Sequence, residues 1–219
     1  MILEEILLEL QATQTQLIAV SKTQPAPAIL ALYQKGQRDF GENKAQELIA
    51  KYEILPKDIR WHMIGHLQTN KVKYIAPFVH LIHSVDSADV LLEINKQAAK
   101  CNRIINCLLQ FKIAQEDTKY GFDLESAQDL LESADFQSLQ HVQITGVMGM
   151  ATFTEDMEQV RQEFRTLQAI FSTLKHKYFS HQPGFKERSM GMSGDYKIAV
   201  QEGSTMVRIG TLLFGKRSN

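Results

Sequence analysis

Apolar residues along the chain fall into two alternating rhythms. Short runs dense in branched and aromatic residues predict strands, and stretches with apolar residues three and four positions apart predict helices. Strand-type runs are expected at Leu17–Lys22, Arg38–Asn43, Trp61–Gly65, His80–Val85, Arg103–Phe111 and Val142–Met148, then at the start of Glu187–Asp195 and at Thr205–Thr211. Helical patterns lie between them: one ending near Gly36, one from Lys44 to Tyr52 with Asn43 placed to cap it, and one reaching about Ala76. Further helices are expected through Val90, Leu91, Ile94 and Ala98, from Asp123 to Leu131, from Glu155 to Tyr178, and to about Gln201; Lys112–Phe122 is polar and irregular. Eight alternations without a repeat or a linker predict a parallel sheet. The best reading is α/β, a single (β/α)8 TIM-type barrel domain over residues 1–219 with an extra amphipathic helix at Met1–Leu10; a doubly wound open sheet is the alternative.

Composition narrows this picture. The 219 residues are 44% hydrophobic and 22% charged, with a formal net charge of −1, so a sizeable core is available. No basic excess offers a footprint for nucleic acid. Cys101 and Cys107 are too few and too isolated for a disulfide framework or a zinc knuckle, and no metal site is expected. The N-terminus carries acid where a secretory signal carries base, and no apolar run approaches the roughly 18 residues of a membrane span, so a cytoplasmic setting without membrane contact is expected.

Candidate chemistry gathers at the strand ends. Lys22 closes the first strand, where α/β folds bind ligands, although a lone lysine there is also an ordinary loop residue. Ser193-Gly194 and Gly210-Thr211 follow strands seven and eight, the common place for phosphate in barrels; glycine lets backbone N–H groups approach an anion and the hydroxyls add donors. Both segments are equally compatible with ordinary turns. On strand eight, Val207 and Ile209 share one face and Met206, Arg208 and Gly210 the other. If the branched pair faces the helices, Arg208 points into the barrel and needs a partner, either a structural carboxylate or an acceptor on a ligand. A ligand carrying an aldehyde, a phosphate and a ring nitrogen would satisfy lysine, cradle and arginine together, and pyridoxal 5'-phosphate (PLP) is such a ligand.

Longer blocks carry a resemblance. Ala19-Val20-Ser21-Lys22-Thr23, Phe40 to Glu47, Trp61 to Lys71, Lys119-Tyr120-Gly121, Gly146 to Met150, Ser189 to Asp195 and Gly203 to Gly210 together resemble the pyridoxal phosphate homeostasis protein family. The resemblance implies the barrel of the fold-type III alanine racemases without their second domain. It further implies that Lys22 is the Schiff-base lysine and Arg208 the partner of the pyridine nitrogen. Ser193, Gly210 and Thr211 would be phosphate ligands, with Gly194 beside Ser193 in the same turn, and Asn43 would line the pocket near Lys22. His66 and His83 are expected as rim or core histidines, and Met148, Met150, Met190 and Met192 as packing near the pocket.

Two functions of different class remain: a non-catalytic PLP carrier in vitamin B6 and amino-acid homeostasis, and a PLP-dependent amino-acid racemase. A racemase of this fold takes its second acid/base residue from another domain, and Asn219 follows strand eight closely, which favours a carrier acting as a monomer, with apo-enzymes or regulators as partners. A barrel enzyme handling a phosphorylated metabolite without a cofactor is the generic third reading.

Overall fold

The computed structural model describes residues 2–114 and 120–215. Helix α1 (Ile2–Gln11) precedes the alternation β1 (Gln16–Val20), α2 (Ala26–Gln34), β2 (Asp39–Glu42), α3 (Ala45–Ile54), β3 (Arg60–Met63), α4 (Thr69–Ile75), β4 (Leu81–Val85) and α5 (Ala88–Lys100). It continues through β5 (Ile105–Phe111), α6 (Leu124–Glu132), α7 (Ala134–Gln137), β6 (Val142–Gly149), α8 (Met157–Lys177), β7 (Glu187–Ser189), α9 (Tyr196–Gln201), β8 (Met206–Ile209) and α10 (Thr211–Phe214). All pairings are parallel in the order β1 to β8, and β8 returns to β1 with Arg208 opposite Ile18, closing the barrel. Closure removes the sheet edges and settles the choice between barrel and open sheet.

Three apolar layers hold the barrel. The largest lies between the strands and the outer helices, with Phe40, Trp61, Phe164 and Phe185 among its fully buried members. Inside the barrel sit Ile18, Leu81, Leu108, Met148 and Met206. On the outside, α1 buries Leu3, Ile6 and Leu10 against Leu17, Val207 and Ile209. Each such side chain contributes roughly 1.5–3 kcal/mol when fully buried. The split of β8 is therefore as its alternation demands: Val207 and Ile209 face α1, and Met206 faces inward beside the plane of Arg208.

Local signals account for the helix ends that matter. Asp123 caps α6 through a capping box with Ser126, and Asp156 caps α8, whose last turn holds Lys175, His176 and Lys177 against the negative end of the helix dipole. Asn43 does not cap α3: Lys44 occupies that position in extended conformation without a side-chain bond. Tertiary packing moved the start, because β2 and β3 approach so closely that a Cβ on Gly65 would lie 2.4 Å from the Asn43 carbonyl oxygen. The four-residue helix α10 occurs where the Gly210-Thr211 turn is expected, and α7 lies in a stretch assigned no element; both are too short to show a period. Lys119 of the Lys119-Tyr120-Gly121 block lies outside the described residues.

Candidate functional site

At the C-terminal end of the barrel a cavity of about 490 Å³ is lined by Lys22, Asn43, Ser193, Gly194, Arg208, Gly210 and Thr211, together with apolar residues that include Ile64, Met150, Met192 and Phe153. All seven residues read from the sequence are thus brought to one concavity, of a size that suits a small molecule. Met148 and Met190 lie fully buried, whereas Met150 and Met192 reach the cavity wall. Phe153, 97% exposed at the rim, and Gln24 had no signal in the sequence.

Lys22 stands two residues beyond the last residue of β1, on a turn closed by the Gln24 N–H donating to the Ser21 carbonyl at 2.9 Å. Thr23 has a positive φ of 63°, an uncommon conformation for a β-branched residue. Its N–H donates to Glu47 Oε1 at 2.5 Å, while Lys51 Nζ donates to the Ser21 carbonyl, Glu42 and Glu47, each at 2.7 Å. Ser21 Oγ donates to Glu42 Oε1 at 2.6 Å. The turn carrying Lys22 is therefore clamped from beneath by α3. Burial pushes the Glu42 carboxyl up to about 7, against the pull of Lys51 and Ser21, and its Oε2 is buried without a partner. Sequence reasoning missed this cluster, since Ser21, Glu42 and Lys51 meet only after β1, β2 and α3 pack.

Arg208 is 3% exposed. Its guanidinium donates to Ser189 Oγ at 2.6 Å and to the Gly149 carbonyl at 3.0 Å, so its hydrogen bonds run to a hydroxyl and a carbonyl and not to the carboxylate offered as one alternative. Burial lowers its pKa to about 10, partly offset by Asp195, and it stays charged at neutral pH. The two loops expected to cradle an anion are tied together: the Gly210 N–H donates to Ser193 Oγ at 3.3 Å, and a Cβ on Gly210 would sit 3.1 Å from the Val20 carbonyl oxygen. Glycine at 210 therefore lets the end of β8 lie against the end of β1.

His66 stands at the rim, bonded to Asp86 at 2.7 Å and stacked on Tyr120. His83 is fully buried in the barrel interior. At the opposite end of the barrel Asp39, His62 and His80 bring possible ligand atoms within 4.8 Å of one another. Those of Asp39 and His62 are already committed: Arg60 donates to both Asp39 oxygens, and His62 bonds Asp39 and His83.

Comparison with known proteins now gives these features a setting. Residues 5–218 match the family model described as alanine racemase, N-terminal domain. The chain is 41% identical over 203 residues to a pyridoxal phosphate homeostasis protein of Aquifex aeolicus, covering 92% of this chain and 87% of that protein. PipY of Synechococcus elongatus, in a structure with PLP bound, superposes with a TM-score of 0.84 at 36% identity, covering 96% of this chain and 99% of PipY. An alanine racemase of Clostridium difficile shares the fold at 16% identity and a TM-score of 0.69, and this chain spans only 56% of it. The chain belongs to the alanine racemase N-terminal domain family, and within it to the pyridoxal phosphate homeostasis proteins.

Proposed function

We propose that this protein binds PLP in the cavity at the C-terminal end of the barrel and serves as a carrier in vitamin B6 and amino-acid homeostasis. The observation that carries the reading is the convergence of Lys22, Arg208 and the tied Ser193 and Gly210 loops on one cavity, in a chain 36% identical to a neighbour whose structure contains PLP. The donor set fits the group. Lys22 is the amine that would hold its aldehyde, Arg208 would face its ring nitrogen, Ser193, Gly194, Gly210 and Thr211 would hold its phosphate, and Asn43 would line the wall. When bound, PLP supplies an aldehyde that condenses with amines and a ring that withdraws electrons.

What the chain's own residues do favours holding over catalysis. The Ser21–Gln24 turn orients Lys22, and the protein bonds to Arg208 fix a cation that donates hydrogen bonds but cannot accept a proton. A ring nitrogen facing it would stay unprotonated, a weaker electron sink than one paired with a carboxylate. Homologous chains named as homeostasis proteins point the same way. The carrier is read as a single-domain cytoplasmic monomer whose protein partners are apo-enzymes or regulators. Two assays test it. Loaded protein mixed with an apo-enzyme should yield holoenzyme, and it should leave the α-proton of alanine unexchanged in deuterated water. Rapid α-proton exchange would favour the racemase reading, and a protein that takes up no PLP would end the proposal.

A further inference from the structure

A chain of hydrogen bonds crosses the barrel interior from the candidate site to the opposite end. Arg208 Nη1 lies 2.6 Å from Ser189 Oγ, Ser189 Oγ 2.8 Å from His83 Nδ1, His83 Nε2 2.9 Å from His62 Nδ1, and His62 Nε2 3.0 Å from Asp39 Oδ1. Arg60 closes the far end on Asp39, with Nε to Oδ1 at 2.7 Å. Ser189, His83 and His62 are each 0% exposed, and the links join β8, β7, β4, β3 and β2.

One starting fact orders every proton in this chain. A guanidinium only donates, so Ser189 Oγ accepts from Arg208. Its own proton must then go to His83 Nδ1, the other polar atom bonded to it; a serine accepting from both sides would bury an unsatisfied O–H. His83 Nδ1 is thus bare, its proton sits on Nε2, and it donates to His62 Nδ1. His62 in turn donates from Nε2 to Asp39. We infer that Ser189, His83, His62 and Asp39 form a one-directional relay of positioning residues that fixes the Arg208 guanidinium against the cavity, with both imidazoles locked as the Nε2–H tautomer. This inference rests on the proposed PLP site for its consequence, but not for its geometry.

The surroundings support it. Burial, with the Arg208 guanidinium nearby, holds His83 well below the usual histidine range, which keeps Nδ1 free to accept. The titratable and charged groups facing His83 are His62, Arg208, His80 and Asp39. Asp39 supplies the ionised terminus: Arg60 and His62 outweigh the opposing effect of burial and hold its carboxyl below the usual carboxylate range. Ser189, His83 and His62 are fully buried, so the relay transmits position and not solvent contact.

The test has an arm without cofactor and an arm with it. In ligand-free protein, nitrogen-15 histidine spectra should show two buried rings protonated at Nε2 and bare at Nδ1, and Ser189→Ala should move the His83 Nδ1 resonance. A ring protonated at Nδ1 would overturn the inference whatever the protein binds. With PLP, Ser189→Ala and His83→Leu should weaken binding roughly tenfold, the loss of about one hydrogen bond to a charged group, and shift the visible spectrum. His83→Asn keeps an acceptor near the Nδ1 position and should fall between Leu and wild type. Unchanged affinity and spectrum in Ser189→Ala, the smallest of these changes, would show Arg208 to be held without the relay. Failure of the wild type to take up PLP would defeat the proposed function while leaving the tautomer measurement to judge the relay.

Discussion

Asp39 and Glu42 begin and end the same four-residue strand, both are buried, and they stand in opposite electrostatic states. Asp39 receives Arg60 on both oxygens and His62 on one, and is held below the usual carboxylate range despite its burial. Glu42 receives Ser21 and Lys51 on a single oxygen while the other is buried without a partner, and burial pushes it up to about 7. Depth alone therefore does not decide the charge of a carboxyl in this barrel; the completeness of its donors does. The consequences differ as well. Asp39 anchors the interior chain that ends on Arg208, and Glu42 underlies the turn that carries Lys22.

The two carboxyls should respond most differently to loss of Lys51. Lys51→Met strips Glu42 of its cation and Ser21 of a donor; the carboxyl, already raised to about 7, takes up a proton instead of staying charged, and the loss should be about 2–3 kcal/mol in denaturant titration. Adding Glu42→Gln should recover most of that loss; a double variant no more stable than the single one would show that Lys51 acts through packing alone.

Glu42 also leaves a signature in pH. Its folded pKa is raised from 4.5 to about 7, so the folded state binds the proton more tightly and the stabilisation present below pH 4.5 is lost as pH rises towards 7, by at most a few kcal/mol. Glu42→Gln should flatten stability across that window. Asp39 carries the opposite sign, its contribution being present above pH 3.8 and lost as pH falls further. An unaltered slope in Glu42→Gln would mean that the carboxyl is charged throughout.

At Asp39 a milder change is expected. Asp39→Asn keeps an acceptor for His62 but loses the charge facing Arg60, whose side chain is 46% exposed and can be solvated instead. Roughly 1–2 kcal/mol of stability should go, measured by thermal unfolding. A loss as large as that of Lys51→Met would erase the contrast between the two ends of β2. The smallest effect belongs to a position outside both networks: Asp123→Ala removes the capping box of α6 and should cost about 1 kcal/mol without altering PLP uptake.

Periodicity carried most of the architecture. The alternation on β8 placed Val207 and Ile209 outward and Arg208 inward, and Asp123 was readable as a helix start because its cap is purely local. Local rules failed at Asn43, where the close approach of Gly65 moved the helix start to Ala45. Lys22, Arg208, Gly210 and the Ser193-Gly194 pair were legible because they lie at or just beyond strand ends, whereas Phe153 and Gln24, which also line the cavity, carry no such signal. The supports of Lys22 and Arg208 were not legible. Ser189 and His83 are 106 positions apart and meet only when the barrel closes, and Glu42 meets Lys51 only once α3 packs on β2.

Lys22, held on its clamped turn, is the residue proposed to capture PLP. Protein equilibrated with PLP, reduced with borohydride and digested should carry the pyridoxyl mass on the peptide containing Lys22, and Lys22→Ala should carry none while unfolding as the wild type does. Modification of another lysine with Lys22 untouched, or equal labelling of the Lys22→Ala variant, would contradict the account.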